Sequence, residues 1–258
     1  MQRKAFFAYG VANHVMFLGV YAWMAGFVGN FLVPRSIDNA IQSPIGWAIA
    51  INLGLIALFG LQHSIMARPS FKKVWTRIIP QPIERSTYML ATNLVVVLLL
   101  WQWRSIETVV WHVEGTVGRT ILWSLFATGW LAVPLVTLLI NHFDLFGLRQ
   151  VWMHLKGQKY EHLPFRVPSV YKKVRHPLYV GWFVCFWATP TMTVAHLLFA
   201  AGMTAYILIA IRFEERNLVD HFGPAYEEYR KRVPKLIPRF GKSVRNETDV
   251  LDPVAPAA

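Results

Sequence analysis

The chain has 258 residues, of which 55% are hydrophobic and 16% charged, and its formal net charge is +12. Soluble domains average about 25% charged residues, so this composition fits that class poorly. The apolar runs exclude a disordered chain and a coiled coil, and a single cysteine, Cys185, excludes a disulfide-stapled secreted domain. Cys185 lies inside an apolar run, and we expect it to be a buried packing residue.

Five apolar stretches are long enough to cross a bilayer, whose hydrocarbon core of about 30 Å needs roughly 20 helical residues. In chain order they are residues 6–33, 45–66, 87–103, 121–140 and 178–211. The last would reach about 50 Å as one helix, but Pro190 stands among threonines near its middle and predicts a turn. We therefore predict an all-α polytopic membrane bundle of four spans plus a C-terminal helical hairpin. The first run is too long for a cleavable signal peptide.

The basic residues alternate between the connecting loops. Loops 34–44 and 104–120 balance acids and bases, whereas loops 67–86 and 141–177 and the C-terminal tail are rich in Lys and Arg. By the positive-inside rule this pattern predicts a multi-pass protein of the bacterial cytoplasmic membrane with both termini inside. The expected partners of the excess charge are anionic lipid headgroups and not nucleic acid. No obligate protein partner is evident.

The polar residues gather where the spans meet the predicted cytoplasmic side, while the span cores hold only two histidines, His14 and His196, expected to be packing residues. The polar clusters are residues 62–64, 84–88, 141–144, 175–179 and 212–215. Two interpretations remain open, because polar residues at one depth indicate either a shared active site or interfacial anchoring. No Cys/His spacing of a metal site is present.

The fifth stretch begins in a way that suits an anionic ligand. His176 precedes Pro177, and proline is well tolerated at the first position of a helix. The N–H groups from Leu178 onward would then form a positive helix end. Gly181 would allow a close approach to the backbone.

Two neighbouring carboxylates end this stretch. Glu214 shares a helical face with Ile207 and Ile211, so we expect it to be buried with a partner. Glu215 lies beside Arg212 and is expected to form a surface pair.

These residues form a long, ordered signature. Arg-His-Pro-x-Tyr-x-Gly at 175–181, Glu-Glu-x-x-Leu at 214–218, Phe-Gly-x-x-Tyr-x-x-Tyr at 222–229 and Val-Pro at 233–234 follow one another. The signature resembles that of the isoprenylcysteine carboxyl methyltransferase superfamily, integral membrane enzymes that use S-adenosylmethionine and yield S-adenosylhomocysteine. It covers roughly residues 160–240.

The resemblance implies a pocket for S-adenosylmethionine. The matching positions are Tyr171, His176, Pro177, Leu178, Tyr179 and Glu214, with Gln150 and His162 as further candidates upstream. Segments 62–69, 83–88 and 141–150 resemble the bacterial branch that converts methanethiol to dimethyl sulfide. The substrate-contacting Arg of the prenylcysteine branch has no counterpart in register, because Ala210 stands there.

The chain contains no Gly-x-Gly, so the glycine-rich loop of soluble nucleotide-binding sheets is missing. A cofactor pocket made from helix ends is the alternative. Our hypothesis places the methionyl carboxylate at the start of the hairpin helix, with Arg175 or Arg149 as counter-charge. Glu214 would hold a ribose hydroxyl or the amino group, and Tyr171 or Tyr179 would pack on adenine.

The thiol is expected between the ends of the second, third and fourth spans. A small alkyl thiol is mostly protonated at neutral pH, and the thiolate is the nucleophile, so a base is needed. His142 supported by Asp144 is the first candidate, and His63 is the second. The pairing of His142 with Asp144 requires the fourth span to end near Asn141, since i and i+2 diverge on a helix.

Further residues complete the hypothesis for this site. Arg85 and Tyr88 would stabilise the forming thiolate. The aromatic residues Phe143, Phe146 and Trp152 would either line an apolar pocket or anchor the chain in lipid.

The whole chain is predicted to be one domain. Residues 1–140 would supply the substrate-side spans, 141–240 the portion that binds S-adenosylmethionine, and 241–258 a flexible tail. Two alternatives remain open: a membrane methyltransferase for a larger lipid-linked thiol or prenylcysteine carboxylate, and a non-catalytic sensor or assembly protein.

Overall fold

The computed structural model describes residues 1–161, 163 and 167–238. Five helices in this part are long and apolar enough to cross a membrane: α1 (Gln2–Gly29), α2 (Ile45–Ala67), α4 (Gln81–Gln102), α5 (Thr116–Ile140) and α9 (Val194–Phe222). The shorter helices are α3 (Pro69–Trp75), α6 (His142–Leu145), α7 (Leu148–Lys156), α8 (Pro177–Trp187) and α10 (Pro224–Arg232). A 3₁₀ helix (Ser169–Lys172) and two strands, β1 (Val109–His112) and β2 (Thr191–Thr193), complete the elements. His162 and the predicted tail, 241–258, lie outside the described residues.

The predicted breaks between membrane helices are confirmed. Each of the first four predicted stretches coincides with one long helix, although α4 begins at Gln81, ahead of its apolar part. The fifth stretch is interrupted as expected, since α8 ends at Trp187 and α9 begins at Val194. The Thr193 hydroxyl caps α9 by accepting the His196 N–H, which fixes the start of the helix.

The prediction of an all-α fold was wrong in one respect, because the structure contains a small two-stranded sheet at the hairpin turn. Residues 191–193 form β2, which pairs antiparallel with β1, so that Val109 faces Thr193 and His112 faces Thr191. Threonine and valine favour extended backbone, which explains a strand where a turn was expected. With 11 residues, α8 rises about 16 Å, roughly half of the hydrocarbon core. Residues 188–193, of which 191–193 form β2, connect α8 to α9.

The loops poor in basic residues meet at one end of the bundle. The Asn52 side chain donates to the Arg104 carbonyl at 2.8 Å and accepts the Arg104 N–H at 2.9 Å. The Thr193 hydroxyl donates to Asp38. At the other end, the Phe6 ring stacks on His154 of α7, so the N-terminus lies beside the base-rich segments. Base-rich and base-poor loops alternate along the sequence, and the fold places the two kinds of loop at opposite ends of the bundle.

Helices α5 and α8 pack closely in the core, and small residues allow this packing. A Cβ on Gly181 would lie 3.1 Å from Val133 Cγ2, and one on Gly129 would lie 3.0 Å from the Cys185 backbone nitrogen. Gly181 is therefore used for helix packing. Cys185 is buried and free, as expected. His196 is fully buried, with Nε2 3.0 Å from the Phe186 carbonyl oxygen, which confirms its packing role.

Candidate active site

A cavity of about 1500 Å³ opens at the base-rich end of the bundle and is lined by residues of all the helices from α3 to α10. It is called the cleft below. Ten of the catalytic and donor-binding candidates line it: Arg85, His142, Asp144, Gln150, Tyr171, Arg175, His176, Leu178, Tyr179 and Glu214. Of those candidates that the structure describes, five lie outside its lining: His63, Tyr88, Arg149, Pro177 and Gly181. The polar helix ends therefore converge, as active-site residues do.

Two sharp backbone turns build the wall of the cleft that follows α5. Asn141, at φ 134°, ends α5 and caps α6, because its side-chain oxygen accepts the Asp144 N–H. Gly147, at φ 85°, ends that turn and packs against α4. A Cβ on Gly147 would lie 2.8 Å from the Ser86 backbone nitrogen, a contact that only glycine avoids. This close approach brings α7 and its Gln150 to the cleft.

His142 is buried in a pocket of aromatic rings at the start of α6. Its Nδ1 lies 2.8 Å from Thr137 Oγ1, and its ring meets the His14 ring edge-on at 5.1 Å. Phe146 packs against the other side at 4.5 Å between centroids. Burial lowers the pKa of His142, and the neighbouring His14 lowers it further. The imidazole is therefore neutral at neutral pH and able to accept a proton.

Asp144 does not support His142, which corrects that expectation. Although α5 ends where required, a new helical turn begins at His142, and residues two apart on that turn diverge. The Asp144 carboxylate instead accepts hydrogen bonds from Arg149 Nη1 at 3.0 Å and from the Tyr160 hydroxyl at 3.1 Å. Burial, followed by this carboxylate, raises the pKa of Tyr160. Asp144 therefore fastens α6 to α7 and to the loop after it.

His63 lies behind the cleft in a polar layer between α2 and α4. A ring nitrogen of His63 is 2.9 Å from the Tyr88 hydroxyl, and Nδ1 is 3.4 Å from Thr92 Oγ1. The Arg85 guanidinium lies 5.1 Å from the Tyr88 ring centroid and donates from Nε to the Leu145 carbonyl. Arg85 thus connects the layer to the cleft wall.

The burial of the two glutamates of α9 is the reverse of our expectation, because Glu215 is buried and Glu214 is exposed to the cleft. Glu215 is buried and bonded to Arg175 and His176, with Oε1 2.8 Å from Arg175 Nη2 and 3.0 Å from His176 Nε2. The expectation of a surface pair with Arg212 was wrong. Ile207, Ile211 and Glu215 recur every four residues, so the buried face of α9 runs through Glu215.

Glu214 faces the cleft, with its side chain 44% exposed. Its Oε2 accepts a hydrogen bond of 2.7 Å from the Tyr179 hydroxyl and lies 3.8 Å from His176 Nδ1. His176 is thereby held between both carboxylates. Burial, followed by the Glu214 charge, raises the pKa of Tyr171. A carboxylate and two phenols therefore form one wall of the cleft.

The two arginines proposed as counter-charges already have partners in the protein. Arg175 donates from Nε to Glu215 at 2.9 Å and from Nη1 to the Arg230 carbonyl at 2.8 Å. Arg149 donates from Nη1 both to Asp144 and to the Glu161 carbonyl. Both guanidiniums therefore serve mainly to hold together the chain segments that form the wall of the cleft.

Sequence comparison identifies relatives along almost the whole chain. It is 50% identical over 242 residues to methanethiol S-methyltransferase of Crocosphaera subtropica, covering 94% of this chain and 95% of that protein. It is 48% identical over 238 residues to methanethiol S-methyltransferase of Mycobacterium tuberculosis, covering 92% and 98%. The chain belongs to the methanethiol S-methyltransferase family. The resemblance read from the signature and the upstream segments is therefore confirmed.

The chain also has a more distant relative among human proteins. Human nurim is 30% identical to this chain over 190 residues, which are 70% of each protein. No protein-family model matches the chain, and no solved structure matches it.

In this member of the methanethiol S-methyltransferase family, the sequence analysis did not predict the site contacts of three residues, which are Glu215, Thr137 and Tyr160. Glu215 was visible in the four-residue repeat of buried positions on α9. Thr137 is one apolar-span threonine among several, so only its contact with His142 distinguishes it. Tyr160 lies in a loop with no local pattern, and only the fold brings it to Asp144.

Proposed function

We propose that this protein transfers a methyl group from S-adenosylmethionine to methanethiol and releases dimethyl sulfide. The observation that carries the proposal is the 50% identity over 242 residues to a protein named methanethiol S-methyltransferase. The cleft supports it, because predicted donor-side and thiol-side residues line one cavity. The five apolar helices support a location in the membrane, where a small apolar thiol dissolves readily.

The cleft suits S-adenosylmethionine in size and chemistry. Its volume of about 1500 Å³ leaves room for the donor and a thiol together, since ligand pockets commonly span about 300–1,000 Å³. Within the described residues, Gln150 Oε1 is buried and accepts no hydrogen bond, so an N–H of a ligand can donate to it. When bound, S-adenosylmethionine supplies an electrophilic methyl group on a sulfonium.

The donor is assigned to the wall formed by α8 and α9. Glu214 holds a ribose hydroxyl or the amino group, and Tyr171 and Tyr179 pack beside adenine. The methionyl carboxylate lies near the start of α8, at His176 and Leu178, which line the cleft on either side of Pro177. Arg149, Arg175 and Gly181 hold the wall in place through the contacts described above. The role of His162 stays a prediction.

The thiol is assigned to the opposite wall, beside α6. His142 Nε2 would accept the thiol proton, and bound S-adenosylmethionine would supply the methyl group for the thiolate, with S-adenosylhomocysteine as the leaving group. The products are dimethyl sulfide, S-adenosylhomocysteine and a proton that leaves His142 for solvent. Burial supports this role, because a neutral imidazole is needed to accept the proton.

The polar layer behind the cleft is assigned an electrostatic role. Arg85 lines the cleft and offers positive charge near a forming thiolate. Tyr88 and His63 support Arg85 from behind through the ring contact and the hydrogen bond at 2.9 Å. His63 is the alternative base, reached through Tyr88. Asp144 orients the α6 turn that carries His142.

We further propose that the cleft opens to the bacterial cytoplasm, with both termini on that side of the inner membrane. The base-rich segments and the N-terminus share the end of the bundle that holds the cleft, as the positive-inside rule requires. Cysteine labelling tests the orientation: single cysteines at Lys73 and Glu114 of a C185A variant are probed with an impermeant maleimide on intact cells. Labelling at position 114 alone is expected; labelling at position 73 alone would overturn the orientation.

One assay tests the reaction and its two alternatives. Proteoliposomes containing the purified protein receive methyl-labelled S-adenosylmethionine with either methanethiol or a prenylcysteine. Labelled dimethyl sulfide in the headspace is the expected result. A labelled lipid-soluble product from prenylcysteine alone would favour the larger substrate, and donor binding without any product would favour a non-catalytic protein. Empty liposomes serve as the control.

A further inference from the structure

Thr137, in the last turns of α5, makes two short polar contacts with a single hydroxyl group. Its Oγ1 lies 2.7 Å from the Pro134 carbonyl oxygen and 2.8 Å from His142 Nδ1. The residue is 3% exposed, so water does not compete for these contacts. The arrangement links the end of a membrane helix to a histidine in the cleft wall.

The two contacts determine where the protons lie. A carbonyl oxygen only accepts hydrogen bonds, so the contact with Pro134 uses the one proton of the Thr137 hydroxyl. The contact with His142 must then be supplied by the histidine, with Nδ1–H donating to Thr137 Oγ1. In the neutral imidazole the other nitrogen, Nε2, therefore carries the lone pair.

We propose that Thr137 is a positioning residue that holds neutral His142 in the Nδ1–H tautomer and so leaves Nε2 free to accept the proton of the thiol. This inference rests on the proposed function, in which His142 is the base. Without the Thr137 hydroxyl, the second tautomer becomes populated and presents an N–H, and not a lone pair, at Nε2. The wrong tautomer cannot deprotonate the thiol.

Among the described neighbours of His142, Thr137 is the residue that fixes the tautomer through a hydrogen bond to Nδ1. His14 of α1 approaches the His142 ring edge-on, and Phe17 and Phe146 cover it with apolar surface. The charged groups of the neighbouring elements are engaged elsewhere: Asp144 with Arg149, and Arg85 Nε with the Leu145 carbonyl. Within the described residues, the Thr137 hydroxyl is the hydrogen-bond partner of the His142 side chain.

The chain offers a matched control on the same helix. Thr128 makes the same kind of hydroxyl-to-carbonyl hydrogen bond, 2.7 Å to Ser124, but its side chain is exposed and far from His142 in sequence. T137V removes the hydroxyl and keeps the shape, T137S keeps the hydroxyl, and T128V removes an equivalent hydroxyl outside the cleft. T137A repeats the test if T137V loses donor binding.

The readout is kcat/KM for methanethiol as a function of pH, with the Kd for S-adenosylmethionine as a check of the fold. T137V is expected to lower kcat/KM about tenfold at neutral pH, an effect of about 1.4 kcal/mol, while T137S and T128V stay near wild type. The deficit should shrink as the pH approaches the pKa of methanethiol itself, where the thiolate forms without a base.

Three outcomes are distinguishable. A deficit confined to low and neutral pH supports the inference. Wild-type kinetics in T137V, or an equal deficit at every pH, would overturn it, because a merely structural defect does not depend on ionisation of the thiol. If wild-type protein makes no dimethyl sulfide at all, the proposed function fails, and this inference fails with it.

Discussion

Arg175 and Glu215 form a buried ion pair, with Nη2 2.8 Å from Oε1 and both side chains less than a tenth exposed. Arg175 directly precedes the His-Pro step that starts α8, and Glu215 lies on α9. The same guanidinium also donates to carbonyls at the end of α10. One side chain thus joins three segments of the donor wall.

Removal of Glu215 should therefore destabilise the protein strongly. E215L leaves Arg175 as an uncompensated buried charge, which typically costs about 3–5 kcal/mol. Thermal unfolding of the detergent-solubilised protein measures the effect. The control is E228Q, since Glu228 is exposed and, among the described residues, forms ion pairs only with its helix neighbours Lys231 and Arg232. Equal melting temperatures for E215L and E228Q would contradict the role of the pair.

Glu214 should affect ligand binding and leave stability unchanged. Its carboxylate faces the cleft and holds the Tyr179 hydroxyl at 2.7 Å. A hydrogen bond to a charged group is worth about 1.5–3 kcal/mol, so E214Q should weaken S-adenosylmethionine binding about 10- to 100-fold. Calorimetric titration measures the Kd, and the melting temperature of the unliganded variant should stay at the wild-type value. An unchanged Kd would remove Glu214 from the donor site.

The activity should fall at acid pH because of His142. Its pKa is lowered by burial and by His14, so the imidazole stays neutral to a pH below the usual histidine value. As the pH falls through that lowered pKa, a proton occupies Nε2 and kcat/KM for methanethiol drops. H142N should reduce kcat/KM about 10²- to 10⁴-fold at neutral pH.

Two companion variants decide between the candidate bases. D144N should keep the acid limb of the pH profile near its wild-type position, because Asp144 bonds to Arg149 and Tyr160 and not to His142. H63N should retain more activity than H142N. The reverse order of H63N and H142N would assign the proton to His63 and its partner Tyr88.

A fourth prediction concerns the proline inside α5. Pro134 has no N–H, so the Trp130 carbonyl lacks its helical donor, and the Tyr21 hydroxyl donates to it at 2.6 Å. Y21F leaves that carbonyl unpaired in a buried site and should cost about 1–3 kcal/mol. The measurement is the shift in the thermal unfolding midpoint.

Y9F is the matched control for Y21F on the same helix. The Tyr9 hydroxyl donates to Thr87 Oγ1, but Thr87 also bonds to the Ile83 carbonyl, so the loss of Tyr9 leaves no orphaned group. Y9F should be nearly neutral. If Y9F were as destabilised as Y21F, the loss of the hydrogen bond to the Trp130 carbonyl would not be the cause of the lower stability of Y21F.

Local patterns accounted for the long helices but not for their rotational phases or for the two strands. The apolar runs gave the long helices, and Pro190 with its threonines marked the break before α9. The pairing of β2 with β1 joins positions about 80 residues apart, beyond the reach of any local pattern. The same limit explains Tyr160, a loop residue that reaches Asp144 only through the fold.

By itself, the sequence determined the long apolar helices, the base-rich loops and ten of the candidate residues that line the cleft, because hydropathy, charge and helix ends are local properties. Only the tertiary structure decided which of two adjacent glutamates turns inward and which partner His142 finds. Neighbouring positions on a helix point about 100° apart, so a small change in helix phase exchanges a buried carboxylate for an exposed one. That phase is set by packing between helices distant in the chain.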